Sequence, residues 1–443
     1  MNMNWSQAQE QAKALLASVP ETIENPYVST LLILSVSIYV FQQYVNYRQH
    51  CKLSEKKLPE KLGKIIKPEE FEKARLYSLD KSNFAFVSDF FGLLNLAYFL
   101  FMWYPQIWNL SGDLATKYIG NKTEINQSLI FLGFMVLIGK LQSIPFELYS
   151  IFVIEKKHGF NKQTIGLYVS DMLKGFMLQA LLGGPFVAAF IWVVRRFGEN
   201  FYLAVWLLVF GFQMFVMLIF PTFIQPLFNK FESLPEGTLR TKIEDLARKL
   251  SFPLSKIFVM DGSKRSSHSN AYFFGFFSKR IVLFDTLIQQ NSEEEICAVL
   301  GHELGHWKCW HQLQMLVATQ IHIFALFYAF SHFINRSEIY EAFGFRNEMP
   351  VIIGFMLFGG FSAPSEIVLS FLMNLLSRKN EFEADRFAVK LGYGDLLQSA
   401  LIKLQIENKG NMNPDWMYSA MNYSHPPLLE RLNAIKSAMD KQK

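Results

Sequence analysis

The 443-residue sequence contains little cysteine and little charge. Its three cysteines, Cys51, Cys297 and Cys309, form no CxxC pair, which excludes a disulfide framework and a cysteine zinc cluster, so any metal must use other ligands. Charged residues make up 18% of the chain, whereas hydrophobic residues make up 51% and phenylalanine alone occurs 44 times. This composition excludes a disordered or fibrous chain and favours a membrane protein.

The excess of positive charge is small, at 43 Lys and Arg against 38 Asp and Glu. Basic cytosolic loops of membrane proteins account for such an excess, so no nucleic-acid partner is predicted. The chain begins with the polar, mildly amphipathic segment MNMNWSQAQEQAKALL. A signal peptide needs a basic start and a short apolar core, so we expect no cleaved leader.

Several apolar stretches approach the roughly 20 residues that a helix needs to cross the hydrocarbon core. About seven stretches qualify: Tyr27–Val45, Phe84–Trp103, Ser128–Phe152, Met172–Val194, Phe201–Phe220, Leu313–Phe333 and Val351–Leu376. Gly359, Gly360 and Pro364 predict a kink in the last one. The alternative for one of the last two is a buried helix of a soluble domain. We expect an α-helical membrane protein.

Basic residues in the loops orient the predicted spans. The loop at 47–83 is rich in lysine and arginine, which places it in the cytosol and the N-terminus in the lumen. The predicted organisation is membrane helices 1–5 at 1–220, a cytosolic domain at 221–311, membrane helices 6–7 at 312–376 and a cytosolic C-terminal segment at 377–443.

The predicted cytosolic domain mixes helix and strand patterns. Gly237–Leu250 has the pattern of an amphipathic helix, and Lys256–Met260 and Arg280–Phe284 are typical of short strands. A further helix is predicted from Ser292 to Trp310, with Ser292 as its N-cap and acidic residues in its first turn. We therefore expect a helical domain with a small β element.

The last of these helices contains GHELGHW, with His302, Glu303 and His306. Residues four apart share a helix face, so both imidazoles can reach one Zn²⁺ while Glu303 reaches a water on the same ion. This spacing predicts a metal-activated hydrolase; the alternative is two surface histidines. Gly305 lowers helix stability relative to Ala, which predicts the close approach of another element there.

Two histidines leave a catalytic zinc one ligand short, because such sites use three protein ligands. In NEFEADRFA, just past the last span, Glu381 and Asp385 lie four apart on one face of a predicted helix. Glu381 is a candidate ligand, and Asp385 a candidate acceptor for the free ring N–H of a ligand histidine. Glu383 is a rival ligand, and an acidic cluster is also typical of a solvated helix face.

Together the motifs resemble the integral-membrane zinc CAAX prenyl proteases, the type I, gluzincin metalloendopeptidases. The resemblance rests on HGFNKQT, PTFIQPLFNKF, SSHSNAYFFGFF, GHELGHW, NEFEAD and SHPPLLERL. It implies seven transmembrane helices around a large aqueous chamber, one Zn²⁺ per chain, and the endoplasmic reticulum and inner nuclear membranes. The implied substrate is a prenylated CAAX protein or peptide, which loses the three residues after its prenyl cysteine; some members also cut nearer the N-terminus of a prenylated precursor.

The resemblance also assigns roles to residues. It gives the zinc ligands as His302, His306 and Glu381, with Glu303 as general base and acid and Asp385 beside the ligands. His425 and Arg431 match residues that bind the oxyanion or hold the site together, and Asn270 matches one at the strand edge where substrate backbone pairs. From the residues alone, His425 is a loop or cap histidine and Asn270 a turn residue. Glu383 and the pair Cys309–Trp310 depart from the family pattern.

Four charged residues lie in or near predicted spans, where a charge facing lipid is costly. They are Asp89, Lys140, Glu147 and Glu366. An aqueous interior would accommodate them, and the alternative for Lys140 and Glu147 is snorkelling from span ends.

The sequence leaves two other functions open. One is a membrane quality-control zinc protease that clears misfolded or translocon-stalled chains, for which prenylation is incidental. The other is a non-catalytic binder or channel for lipids or prenyl peptides.

Overall fold

The computed structural model describes residues 24–98, 103–275 and 279–442. The polar N-terminal segment, with its predicted lumenal end, lies outside the described residues, as do 99–102 of the second predicted span and 276–278 of the SSHSNAYFFGFF segment. The helices are α1 (Pro26–Ser54), α2 (Glu60–Gly63), α3 (Pro68–Tyr98), α4 (Tyr104–Leu114), α5 (Glu124–Tyr149), α6 (Ile165–Leu178), α7 (Gly184–Phe197), α8 (Phe201–Ile219), α9 (Gln225–Phe228), α10 (Thr238–Leu250), α11 (Asp285–Gln290), α12 (Glu293–Lys308), α13 (His311–Phe333), α14 (Ser337–Ala342), α15 (Val351–Lys390), α16 (Gly394–Glu407), α17 (Trp416–Asn422) and α18 (Leu428–Asp440).

Within the described ranges, five helical stretches are long and apolar enough to cross a membrane. They are Pro26–Ser54, Glu124–Glu155, Ile165–Phe228, His311–Phe333 and Val351–Lys390. Ile165–Phe228 has 64 residues and contains two of the predicted spans, with a turn between α7 and α8 at Gly198, whose φ is 57°. The predicted helical membrane fold is confirmed, while the count of seven spans and the aqueous chamber stay predictions.

The charged residues in the predicted spans have polar partners on their own or neighbouring helices. Lys140 and Glu147 form an ion pair of 2.6 Å on α5, and the Tyr168 hydroxyl of α6 donates to Glu147 at 2.7 Å. Two further contacts are Gln43 Nε2 to Asp89 at 2.9 Å and His322 Nε2 to Glu366 at 3.2 Å. Pairing lowers the cost of placing a charge at membrane depth.

A four-stranded sheet follows the membrane helices α6 to α8. Its strands are β1 (Phe231–Ser233), β2 (Leu254–Met260), β3 (Ala271–Phe274) and β4 (Lys279–Phe284), in the order β1-β2-β4-β3. β2 and β4, the two strands that the sequence pattern predicts, are parallel, and the outer pairs are antiparallel. The buried side chains of Ile281 and Leu283 on β4 pack in one core with Ile243 of α10 and Ile296 of α12. The sheet therefore supports α12 from one side, and β3 is an edge strand.

Helix α12 begins as the sequence predicts. The Ser292 side chain accepts a hydrogen bond from the Glu295 backbone, and the Glu295 carboxylate accepts one from the Ser292 backbone, which completes a capping box. Glu295 is also buried, and it accepts hydrogen bonds from Ser399 at 2.6 Å and from Lys403 at 2.7 Å. This one carboxylate both caps the helix and ties it to α16.

We expect Glu295→Gln to destabilise the protein by about 1–3 kcal/mol at neutral pH. Burial opposes the charged form of Glu295, but the hydrogen bonds from Lys403 and Ser399 outweigh it and lower its pKa to about 2. Because the folded pKa is below the unfolded value of about 4.3, the stabilisation is complete above that pH and is lost as the pH falls towards 2. Thermal unfolding of both proteins at pH 7 and pH 3 measures this. The difference in Tm should shrink at pH 3, whereas Glu293→Gln, at the exposed ion pair with Lys242, should change Tm little at either pH.

Candidate metal site

Three side chains meet where α12 packs against the C-terminal part of α15. His302 Nε2 and His306 Nε2 lie 3.2 Å apart, and Glu381 Oε1 is 3.2 Å from His306 Nε2. Glu381 Oε2 is 3.5 Å from His302 Nε2. The three side chains converge on one point and provide two nitrogen donors and one carboxylate. We refer to His302, His306 and Glu381 as the metal-binding group because their donor atoms could hold a metal ion.

The Glu381 carboxylate shows that these residues fit a metal ion. Glu381 is only 3% exposed, and its Oε2 accepts no hydrogen bond from the described residues, although His425 Nδ1 and Arg431 Nη1 lie 2.9 Å and 3.4 Å away. A buried carboxylate oxygen without a hydrogen bond is costly. A cation between Glu381 and the two histidines would remove that cost.

A second carboxylate, that of Asp385, contacts His302 at Nδ1, the ring nitrogen that does not face the other candidate ligands. Asp385, one turn after Glu381, lies 2.9 Å from His302 Nδ1 through its Oδ1. Arg431 of α18 donates to Asp385 from Nε at 2.9 Å and from Nη2 at 2.6 Å. Asp385 and Arg431 are 1% and 8% exposed. A carboxylate on Nδ1 fixes the ring orientation and leaves Nε2 as the donor to a metal.

The surroundings raise the pKa of both His302 and Glu303, for different reasons. Burial opposes the charged form of His302, but its contacts with Asp385 and Glu381 outweigh it and raise its pKa to about 9. A metal must displace that proton, so metal and proton compete for His302. Burial raises the pKa of Glu303. A carboxyl group with a raised pKa is better suited to accept and return a proton near neutral pH.

The remaining predicted site residues differ in their positions. His425, in the loop between α17 and α18, places Nδ1 beside Glu381 and keeps 66% of its side chain exposed. Asn270 directly precedes β3, and its Oδ1 accepts a hydrogen bond from the Ala271 backbone at 2.8 Å. Within the described residues, Asn270 makes no hydrogen bond or ion pair to His302, His306 or Glu381. The structure therefore brings His425 and Arg431 to the metal-binding group, and it places Asn270 at the edge of the sheet.

Gly305 makes the approach of α15 to α12 possible. A Cβ atom at Gly305 would lie 3.1 Å from the Ala384 Cα and 3.2 Å from the Phe387 Cβ. The first of these is a backbone atom that cannot rotate away. The prediction that another element approaches closely at Gly305 is confirmed, and that element is the helix that carries Glu381.

Substitution of Gly305 by Ala should therefore strain the metal-bound state, by about 1–3 kcal/mol. The added methyl group pushes α15 away from α12, so Glu381 moves away from the histidines and metal affinity falls. Gly301→Ala is the matched control, because its Cβ would meet the movable Tyr393 ring at 3.2 Å and Ala favours the helix equally at both positions. Metal affinity by chelator competition and Tm with and without metal measure both variants. Equal results for the two glycines would contradict the steric explanation.

His311, which no sequence pattern predicts as a site residue, lies beside the metal-binding group. His311 is 3% exposed, and its Nδ1 lies 2.9 Å from His306 Nδ1. Its Nε2 lies 3.4 Å from Glu383 Oε2. Glu383, the rival ligand in the sequence, therefore contacts His311, while Glu381 points to the two histidines of α12. The available sequence signal was a histidine five residues after His306. Its contact with His306 was not predictable, because it depends on the turn at Trp310.

A cavity of about 850 Å³ opens beside the metal-binding group. It is lined by Tyr272 and Phe274 of β3, by His306, and by apolar residues of α8 and α13 such as Met217 and Leu313. The cavity thus joins the edge strand to the metal-binding group.

Two family models match successive parts of the chain. The model of the CAAX prenyl protease N-terminal region, with five membrane helices, matches residues 47–230. The model of peptidase family M48 matches residues 233–439, which include the metal-binding group.

Several known proteins are similar over nearly their full length. The CAAX prenyl protease 1 homolog of Oryza sativa subsp. japonica is 48% identical over 94% of this chain and 99% of its own. CAAX prenyl protease 1 of Saccharomyces cerevisiae is 42% identical over 95% of this chain and 98% of its own. The crystal structure of S. mikatae Ste24p superposes with a TM-score of 0.89 at 43% identity, over 93% of this chain and 99% of that one. The chain therefore belongs to the CAAX prenyl protease family of M48 metallopeptidases.

Proposed function

We propose that this protein is a zinc metalloendopeptidase that removes the last three residues after the prenylated cysteine of CAAX proteins. We include in the proposal a second cut nearer the N-terminus of a prenylated precursor. The observation that supports it most is the convergence of His302, His306 and Glu381 in a chain of this family. The substrate follows from the names of the relatives, which are CAAX prenyl proteases.

The spacing of the donor atoms supports zinc as the metal, with one ion per chain. Tetrahedral zinc, with ligand distances of about 2.0–2.1 Å, separates its ligand atoms by about 3.3 Å. The separations of His306 Nε2 from His302 Nε2 and from Glu381 Oε1 are both 3.2 Å. Two nitrogens and one carboxylate are also the ligand set of many catalytic zinc sites.

In the proposed reaction the residues of the chain move the protons and hold the charges. Zinc, when bound, supplies the Lewis acidity that makes water a nucleophile near neutral pH. Glu303 takes a proton from the attacking water and returns it to the leaving amine. His425, whose side chain is exposed beside Glu381, donates a hydrogen bond to the developing oxyanion. Arg431 and Asp385 hold His302 and Glu381 in place.

The edge strand β3 is the proposed binding surface for the peptide. Within the part of the chain that the structure describes, β3 pairs with β4 alone, so its other edge offers backbone groups that can pair with an extended substrate. Asn270 lies at the start of this strand and is the proposed partner for the substrate backbone there. Backbone pairing does not discriminate among side chains, so the peptide sequence should matter less than the prenyl cysteine.

We also propose that seven transmembrane helices enclose an aqueous chamber, and that the protein lies in the endoplasmic reticulum membrane and the inner nuclear membrane. The N-terminus is then lumenal, and the metal site and C-terminus are cytosolic. Polar pairs at membrane depth, such as His322 with Glu366, support a wet interior. The proposed division keeps 1–220, 221–311, 312–376 and 377–443, although helix α15 runs through the last boundary.

Mass spectrometry of products from one farnesylated CAAX peptide tests the function. The detergent-purified, zinc-loaded protein should release the last three residues and should leave the unprenylated peptide largely uncut. Equal cleavage of both peptides would favour a quality-control protease. No cleavage, together with failure of the purified protein to take up zinc, would favour a non-catalytic binder.

A further inference from the structure

The two histidines of α12 have different partners on their free ring nitrogens. His302 Nδ1 contacts the Asp385 carboxylate, whereas His306 Nδ1 contacts a third imidazole, that of His311, at 2.9 Å. His311 begins α13 and follows Trp310, whose φ of 59° is left-handed and interrupts the helix between α12 and α13. This break lets the buried His311 side chain contact the candidate ligand His306.

Each neutral imidazole carries a single N–H, and this fixes the tautomers of His306 and His311. His306 Nε2 faces His302 Nε2 and Glu381 Oε1 and must present a lone pair to the metal, so the proton of the neutral ring lies on Nδ1. Two imidazole nitrogens 2.9 Å apart share one proton. His311 Nδ1 is therefore the acceptor, and its own proton lies on Nε2, which faces Glu383 Oε2 at 3.4 Å.

We propose that His311 is a positioning residue for the metal site, which accepts the Nδ1–H of His306, and that Glu383 fixes the tautomer in which it can do so. The inference rests on the proposed metal site. A ring held by an acceptor on Nδ1 keeps its Nε2 aimed at the metal and is a more basic ligand. His311 does for His306 what Asp385 does for His302.

An alternative interpretation is that His311 and Glu383, together with Cys309, form a separate metal site. Cys309, His311 and Glu383 each have a donor atom within 4.8 Å of the others. A metal on His311 Nε2 would require the proton of that ring on Nδ1. Two N–H groups would then face each other across 2.9 Å while His306 binds its own metal. The proton count therefore favours the hydrogen-bonded chain from His306 to Glu383.

Zinc affinity of the full-length, metal-free protein tests the proposal by chelator competition. His311→Leu removes the acceptor and should weaken zinc binding by about 10–100-fold. His311→Asn places an amide oxygen near the position of Nδ1 and should restore most of the affinity. Equal affinity of His311→Leu and the wild type would overturn the proposal. If the wild type binds zinc but does not cut prenyl peptides, the proposed function fails while this inference stands.

Glu383 gives an independent test, because its side chain is 42% exposed and its replacement should not disturb folding. Glu383→Gln should weaken zinc binding by less than His311→Leu does, and it should have no further effect in the His311→Asn background, which lacks the Nε2–H. The matched control is Glu232→Gln, because Glu232 of β1 is in an exposed ion pair with Lys230. An undiminished effect of Glu383→Gln in the His311→Asn background would contradict the proposed hydrogen-bonded chain.

Replacement of zinc by cobalt distinguishes the hydrogen-bonded chain from a second metal site at Cys309, His311 and Glu383. The ligands His302, His306 and Glu381 include no sulfur, so one bound Co²⁺ should give no thiolate-to-metal charge-transfer absorption. Such a band, if lost in Cys309→Ser, would show metal on the second group and would overturn the assignment of His311.

Discussion

Glu303→Gln should lower kcat for a farnesylated CAAX peptide by about 10²–10⁴-fold while the zinc content stays at the wild-type level. Glutamine has the same size as glutamate and keeps the packing of α12, but it cannot take a proton from water. Glu303 is next to His302 in the chain but, within the described residues, is not part of the group that could hold a metal ion. Loss of activity without loss of metal is therefore the expected signature of the general base.

Zinc analysis and peptide cleavage on the same preparation measure this prediction. Glu381→Gln is the comparison, because it should lose bound metal and activity together. Near-wild-type turnover in Glu303→Gln would remove Glu303 from the mechanism and would require another proton acceptor.

The sequence predicts the two histidines well, because their four-residue spacing is a property of a single helix. It does not decide between Glu381 and Glu383, which lie on the same predicted helix and point in different directions. Packing makes that decision, since the backbone of Ala384 approaches Gly305 and turns Glu381 towards α12. Glu383 then faces His311. The sequence predicts a close approach at Gly305, but it does not predict that Ala384 is the residue that approaches.

The elements outside α12 show the same limit. Hydropathy predicts that the last span ends at Leu376, whereas α15 continues to Lys390 and carries the third candidate ligand in the same helix. The apolar pattern predicts where lipid contact ends, but it does not predict where the helix ends. β1 has only three residues, too few for an alternating pattern, and forms because β2 offers it an edge. Such pairing is not local in sequence.

Arg431→Met should destabilise the metal-free protein by about 3–5 kcal/mol. The guanidinium of Arg431 donates two hydrogen bonds to Asp385 and lies 3.4 Å from Glu381. Its removal leaves the protonated His302 ring as the remaining cation beside both buried carboxylates. Burial of carboxylate charge that is only partly neutralised is unfavourable. Zinc places a new positive charge beside Glu381, so the loss of stability should be smaller in the zinc-loaded protein.

Thermal unfolding of the purified protein, with and without zinc, measures this loss. Arg431→Lys keeps the charge but not the two-pronged contact with Asp385, so it should fall between Met and the wild type. The double variant Arg431→Met with Asp385→Asn removes one of the two carboxylate charges and keeps an oxygen that can accept from His302. It should therefore be more stable than Arg431→Met alone, because removing both partners of a buried pair costs less than removing one. If the double variant is less stable by the sum of the two single effects, Arg431 contributes by packing and not by pairing with Asp385.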